Sequence, residues 1–324
     1  MFLKNIYHRL IDSFALDCFF HWRLLCRHSA SIHTEKCREK MEYVLLRRNH
    51  IIEKGMSIRC PKNGFGREKV KSLLVDLLKY KKLYGNIDNF LYYPITTIRE
   101  YISYSKANGN DFEEIESLYQ QLKEGLSFEF DCAPVAGVIV KTKEQIEKEK
   151  KTNFDGFLSS RHSLRYFAKE KPSVEKIDEA LRLAQKTPSA CNRQGWKVHL
   201  FEGEKCMELL KWQGGSKGFE CEPTIAFLVT ANERAFLKHE PFQAYVDGGM
   251  YAMSLLLALH EVGLGAIPLS CGFHYRKLSP LFKKFNIPRN EVPIEIIAAG
   301  EMESEFKIAA SSRKNIKQTT IRHD

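Results

Sequence analysis

The run Val246-Asp247-Gly248-Gly249-Met250 through Glu261 has apolar residues almost all round a helical wheel. A helix without a polar face cannot rest on a surface, so this one is expected at the centre of its domain, buried. Strand-like runs surround it in the sequence. Thr224-Ile225-Ala226-Phe227-Leu228-Val229-Thr230 is short, unbroken and apolar, the pattern of a strand covered on both faces. Lys197-Val198-His199-Leu200-Phe201 alternates, and Ile294-Glu295-Ile296-Ile297-Ala298-Ala299 precedes Gly300 as a further strand. Gly263 and Gly265 are placed to end the helix, and Ala266-Ile267-Pro268-Leu269-Ser270-Cys271-Gly272 reads as a strand and turn. A central helix among several strands makes this half α+β.

The first half has a different pattern. In residues 2–26, Phe2, Leu3, Ile6, Leu10, Ile11, Phe14, Leu16 and Phe19 recur at helical spacing. Its basic residues would let that helix lie on a membrane surface, but docking on its own domain or a partner is the reading favoured over peripheral membrane contact. Gly55 is placed to end a helix in the left-handed conformation, and Gly64 and Gly66 mark a turn before Val70, Leu73, Leu74, Leu77 and Leu78. Two more helices are expected near 88–106, with Asp88 as N-cap, and over 111–124, stopped by Gly125. The trio His50, Glu53 and Lys54 is read as capping and ion pairing, and the lysine–glutamate run over 141–152 as a solvated helix or linker. The shift in pattern places a boundary near 150, with an all-α domain over 1–150 and a second over 151–324.

At 324 residues the chain has room for about two domains. Its net charge of +10 favours anionic partners, but it is not gathered in one arm and no zinc-finger or RNP-like pattern occurs, so nucleic acid is not expected. Nine scattered cysteines without a Cys-x-x-Cys pair argue against a disulfide framework or a metal site and fit a reducing cytoplasm. No apolar run reaches the ~18 residues that a membrane span needs, and the N-terminus lacks the pattern of a signal peptide.

Two stretches carry chemistry. Arg161-His162-Ser163-Leu164-Arg165-Tyr166-Phe167 offers two guanidinium forks and a hydroxyl to one small anion, the donor set that grips a phosphate. Taken alone, a solvated basic turn explains it better. A helix capped by Ser173, with Ile177, Ala180, Leu181 and Ala184 on its buried face, follows. Then comes Thr187-Pro188-Ser189-Ala190-Cys191-Asn192-Arg193-Gln194-Gly195-Trp196, where Ser189, Asn192 and Gln194 present donors and acceptors able to read the edge of a heterocycle. Cys191 and Cys271 have no base beside them in the sequence and read as loop or core thiols, and no catalytic triad is present.

The R-H-S-x-R-x-F opening, a helix, then P-S-x-x-N-x-Q-x-W and a strand resemble the FMN-dependent nitroreductase family, and the later elements keep that order over about 155–315. The resemblance implies a central, mostly antiparallel sheet wrapped by helices, preceded here by the all-α domain. It implies FMN bound at the interface of a homodimer, NADH or NADPH as electron donor, and ping-pong transfer of hydride through flavin N5 to a nitro, quinone or other organic acceptor. Carried over by position, Arg161, His162, Ser163 and Arg165 would hold the phosphate and ring edge, and Arg313 would add a phosphate contact from the tail. Ser189, Asn192 and Gln194 would reach the flavin from the other protomer, and Ser270 and Cys271 would line the ring with backbone groups. Gly248 and Gly249 would permit close approach of a helix or of the flavin.

Two departures stand out. Gly195 replaces the proline common before the tryptophan, which is expected to loosen the turn. The connection over 232–245 is too short for the helical pair that covers the flavin in well-studied nitroreductases, so the N-terminal domain is expected to take that place. The E-K-G-M and G-F-G segments resemble the extension of nitroreductase-like proteins encoded with surface-polysaccharide enzymes, which implies a bacterial setting and a sugar-linked substrate. A flavin-dependent dehydrogenase or dehalogenase with its own metabolite is the alternative within enzymes. A non-catalytic flavoprotein-fold interaction module is the alternative outside them.

Overall fold

The computed structural model describes residues 18, 19, 22, 34–126, 135–236, 240, 242–273 and 275–323. The helix expected over 2–26 lies outside them, apart from residues 18, 19 and 22. The chain divides into two compact units, one of Met1–Cys26 with Lys141–Phe306, the other of Arg27–Val140 with Lys307–Asp324.

The second of these units is built on α1 (Arg38–Met56), α2 (Arg67–Tyr84), α3 (Tyr92–Ala107) and α4 (Glu113–Lys123). Each contributes one apolar stripe to a common core, for example Met41, Leu45, Ile52 and Met56 from α1 and Val70, Leu73, Leu74 and Leu77 from α2. Several local expectations are corrected. Gly55 lies in the last turn of α1 with a helical and not a left-handed backbone, and its missing Cβ makes room for the Phe65 ring. Asp88 does not cap a helix, because it sits in a 3-10 turn at φ 53 and α3 begins four residues later at Tyr92. The pairing expected of His50 and Glu53 is present, with Nδ1 3.7 Å from Oε2, and the fully buried Glu53 also accepts hydrogen bonds from Tyr93 Oη at 2.7 Å and Gly137 N at 3.0 Å. The first 150 residues are not all helical either. β1 (Val138–Thr142) pairs with β6 (Glu305–Ala309) in a two-stranded sheet.

In the other unit, α5 (Lys143–Lys150) starts at a Thr142–Gln145 capping box, and α6 (Phe154–Ser160) is capped by Asn153. α7 (Val174–Ala184) is capped as expected by Ser173 Oγ, which accepts from Lys176 N at 3.4 Å. The sheet comprises β2 (Trp196–Glu202), β3 (Ile225–Asn232), β4 (Leu264–Ser270) and β5 (Glu291–Glu301), in the order β2-β3-β5-β4 with every pair antiparallel. The expected strands are all present. α8 (Gly203–Gln213) and α10 (Tyr275–Lys284) complete the unit with α9 (Gln243–Glu261), which packs Tyr251, Leu255 and Leu259 into the core against β3, β4 and β5. Gly248 lets α9 close on the sheet, since a Cβ there would meet Ile294 Cγ1 at 2.6 Å.

The expectation of burial all round α9 is only half right. Val246, Met250 and Met253 are 51%, 38% and 46% exposed, and Gly249 lies among them. Spaced i, i+4 and i+7, they form an exposed apolar stripe that the described residues leave uncovered.

Candidate functional site

The arginine–serine stretch leaves α6 as an extended segment laid beside the sheet. Leu164 N donates to Ala266 O at 3.1 Å, Ser163 bridges Ala266 in parallel sense, and Ala168 N donates to Glu301 O at 3.0 Å. Leu164, Tyr166 and Phe167 are buried, so the aromatic pair belongs to the core. Two glycines make this fit. A Cβ on Gly265 would lie 2.3 Å from Leu164 Cδ1, and one on Gly300 would lie 3.1 Å from the Phe167 ring. Gly265 therefore sits in β4 for packing, while Gly263, at φ +79, makes the turn out of α9. Arg165 is only 3% exposed, whereas Arg161, His162 and Ser163 are half-buried.

The loop over 189–194 holds a left-handed backbone at Cys191 (φ 50), Asn192 (φ 54) and Gln194 (φ 49). Such conformations cost roughly 1–3 kcal/mol each in non-glycine residues and persist only where surrounding contacts impose them. Those contacts are visible. Ser189 Oγ accepts from Gln194 N at 2.9 Å, and the buried carboxylate of Asp247 accepts from Ala190 N at 3.1 Å and from Gln243 Nε2 at 2.7 Å. Arg193 adds a two-pronged pair with Glu240 (2.6 and 2.8 Å) and donates through Nε to Ala190 O at 3.0 Å. The result is a rigid loop that presents the side chains of Asn192 and Gln194 to solvent. Gly195 tightens this region instead of loosening it. A Cβ there would come within 2.9 Å of Ala235 Cβ and Phe236 Cζ.

Ser270 ends β4 and is exposed, with its carbonyl accepting from Gln213 Nε2 at 3.1 Å. Cys271 is buried, and that burial, with Glu295 nearby, pushes its thiol up to about 12. It is a neutral core thiol at ordinary pH, not a nucleophile. Arg313 belongs to the other unit, where it is exposed, donates through Nη1 to Ser311 O at 2.5 Å, and lines a groove of about 390 Å³ with Asp88, Phe90, Tyr92, Tyr93 and Lys314. Thus Arg161, His162, Ser163, Arg165, Ser270 and Cys271 share the β4 neighbourhood, and Ser189, Asn192 and Gln194 are tied to the start of α9. Glu240, Arg193 and Asp247 were not among the expected site residues. The density of polar groups in 189–194 was the available signal that something must clamp that loop.

Among the described residues no cluster of three or more His, Cys, Asp or Glu is placed to hold a metal ion, and no helix is long and apolar enough to cross a membrane.

Comparison with known proteins now decides the family. The profile of the Nitroreductase family matches residues 158–301, the span of the segment, loop and sheet just described. An iodotyrosine deiodinase from Thermotoga neapolitana is 30% identical over 131 residues, covering 33% of this chain and 68% of that protein. The chain belongs to the nitroreductase family. It is an oxidoreductase of that FMN-dependent kind, with helices ahead of the sheet-bearing nitroreductase domain. Among solved structures, a protein assigned as an NADH oxidase from Clostridium acetobutylicum is 26% identical, covering 52% of this chain and 99% of its own at a TM-score of 0.45. A nitroreductase in complex with FMN from Desulfovibrio desulfuricans is 19% identical, covering 57% and 98% at a TM-score of 0.44.

Proposed function

We propose that this nitroreductase-family chain takes hydride from NADH or NADPH and passes it to an organic acceptor in a ping-pong cycle, as a homodimer with FMN at the interface. The observation that carries the reading is how the basic segment lies along β4. Ser163 stands beside Ala266, while Ser270 lies four residues further on, about 13 Å at the rise of a strand. FMN separates its phosphate from its ring by a five-carbon chain, so cationic donors near one end of β4 and backbone groups at the other suit its two ends. Bound there, FMN would supply the hydride chemistry at N5, which no side chain can provide.

The protein's part is binding and orientation. Arg161, His162, Ser163 and Arg165 would hold the phosphate and ring edge through charge-assisted hydrogen bonds, with Arg313 adding a contact from the tail. Ser189, Asn192 and Gln194 would reach the flavin from the second protomer, and Ser270 and Cys271 would line its ring. The exposed stripe of Val246, Gly249, Met250 and Met253 supports the dimer, because that much apolar surface on a long helix favours a second copy over water. A cytoplasmic, bacterial setting and a polysaccharide-related acceptor complete the proposal.

The deiodinase relative favours a second reading, reductive dehalogenation of a halogenated aromatic amino acid. One assay separates the two. Purified protein is given NADH or NADPH with a quinone or nitroaromatic acceptor, and separately iodotyrosine with dithionite. Rapid nicotinamide oxidation dependent on the quinone or nitro compound supports the first reading. Iodide release with little nicotinamide turnover supports the second, and a flavin-loaded protein that does neither contradicts both. The site assignment has its own test. Arg161→Ala with Arg165→Ala should lose at least nine-tenths of the bound FMN with an unchanged circular dichroism spectrum; full flavin content would contradict it.

A further inference from the structure

Arg161, His162 and Ser163 form a short bridge between two fixed points. Downstream, Leu164 is held by Ala266 O. Upstream, Ser160, the last residue of α6 and only 1% exposed, has its Oγ 2.8 Å from Nε2 of His260, which is itself 5% exposed in the last turn of α9. Ser160 Oγ also contacts Phe157 O at 3.1 Å. A hydroxyl has one proton. It must go to the carbonyl, so Ser160 accepts from His260, and the imidazole carries its proton on Nε2.

The surroundings keep that imidazole neutral. Burial lowers its pKa first, and the positive charges of Lys150 and Arg161 lower it further, to about 4; His162 acts in the same direction and Glu147 opposes them. Lys150 also donates to the carbonyls of His260 (3.3 Å) and Glu261 (3.0 Å), fixing the end of α9, and the Phe157 ring lies 5.1 Å from the imidazole. Beside this hydrogen bond lies a small cavity lined by Ser160, Arg161, His162, Leu256, His260 and Gly265, so the serine–histidine pair forms part of its wall.

We propose that His260 is a positioning residue for the phosphate cradle, acting through Ser160. It pins the point at which the chain leaves α6, so that Arg161 and His162 start from a fixed backbone. Gripping a phosphate with guanidinium groups depends on direction, so a loose starting point lowers affinity without removing any contact group. The inference rests on the flavin reading above, since without a phosphate there is nothing to position.

The test uses the full chain stripped of flavin, titrated with FMN and, separately, with riboflavin, which has the same ring and no phosphate. His260→Phe and Ser160→Ala should each weaken FMN binding tenfold or more and change riboflavin binding less than twofold. His260→Gln, whose side-chain amide can still donate to Ser160 Oγ, should stay within about threefold of wild type for FMN. Parallel weakening of both flavins would mean general loosening of the fold and would overturn the proposal, as would unchanged FMN affinity. Should His260→Phe fail to fold, Ser160→Ala decides, because it removes the hydrogen bond and little volume. Wild-type protein that binds neither flavin would instead overturn the flavin reading itself.

Discussion

His260 also gives the protein a predictable response to acid. Its folded pKa of about 4 lies below the ordinary 6.5, so between those values the unfolded chain binds the extra proton and the folded chain does not. Stability therefore falls as pH drops from 6.5 to 4 and this contribution levels off below 4, a loss of roughly 3 kcal/mol. Urea melts across that range should show a shallower slope in His260→Gln than in wild type; equal slopes would contradict the assignment. Asp247 makes a second prediction. It holds a backbone N–H and a glutamine amide from within α9, and charged hydrogen bonds of this kind contribute roughly 1.5–3 kcal/mol. Asp247→Ala should lower the urea midpoint accordingly and weaken FMN binding about tenfold by freeing the 189–194 loop, and Asp247→Asn should do less of both. Such residues are hard to read from sequence. Ser173 announced itself as a cap because capping is local, whereas Asp247 acts on a residue 57 positions away. Gly55 and Gly195 misled for the same reason, since each is small for a ring that arrives from another element.

α9 shows how far a periodic pattern reaches. Its length and apolarity identified the helix and its place against the sheet, but a pattern does not distinguish burial by the chain itself from burial by a partner. Met250 and Met253 look like core residues in the sequence and are exposed in the single chain. On the proposed homodimer, Met250→Lys with Met253→Lys should therefore yield a monomer in sedimentation velocity and lower flavin content, since the proposed site takes residues from both protomers. An unchanged sedimentation coefficient would show that this stripe is not the interface. The strands were legible because they are unbroken or alternating apolar runs. β1 and β6 were not, being five residues each and, among the described residues, paired with one another in a two-stranded sheet. α8 escaped notice as well, its apolar face reduced to Cys206, Leu209 and Leu210 among charged neighbours.

The division of the chain does not follow its midpoint. Residues 307–324 belong with 27–140, so the tail carrying Arg313 is part of the helical unit and not of the unit that carries Arg161 and Arg165. Sequence order cannot reveal such a return, because it depends on a strand pairing between short, unremarkable segments. The family, by contrast, was legible from a handful of ordered motifs, and the profile over 158–301 covers the segment, the loop and the sheet on which the functional reading stands. That reading needs a flavin in the protein and a nicotinamide able to reduce it. The direct measurement is the visible absorbance spectrum of the purified 324-residue chain under anaerobic conditions, before and after NADH or NADPH. A flavin band near 450 nm, roughly one per chain and bleached by either nucleotide, is the expected result. A colourless protein that takes up no added FMN would contradict it.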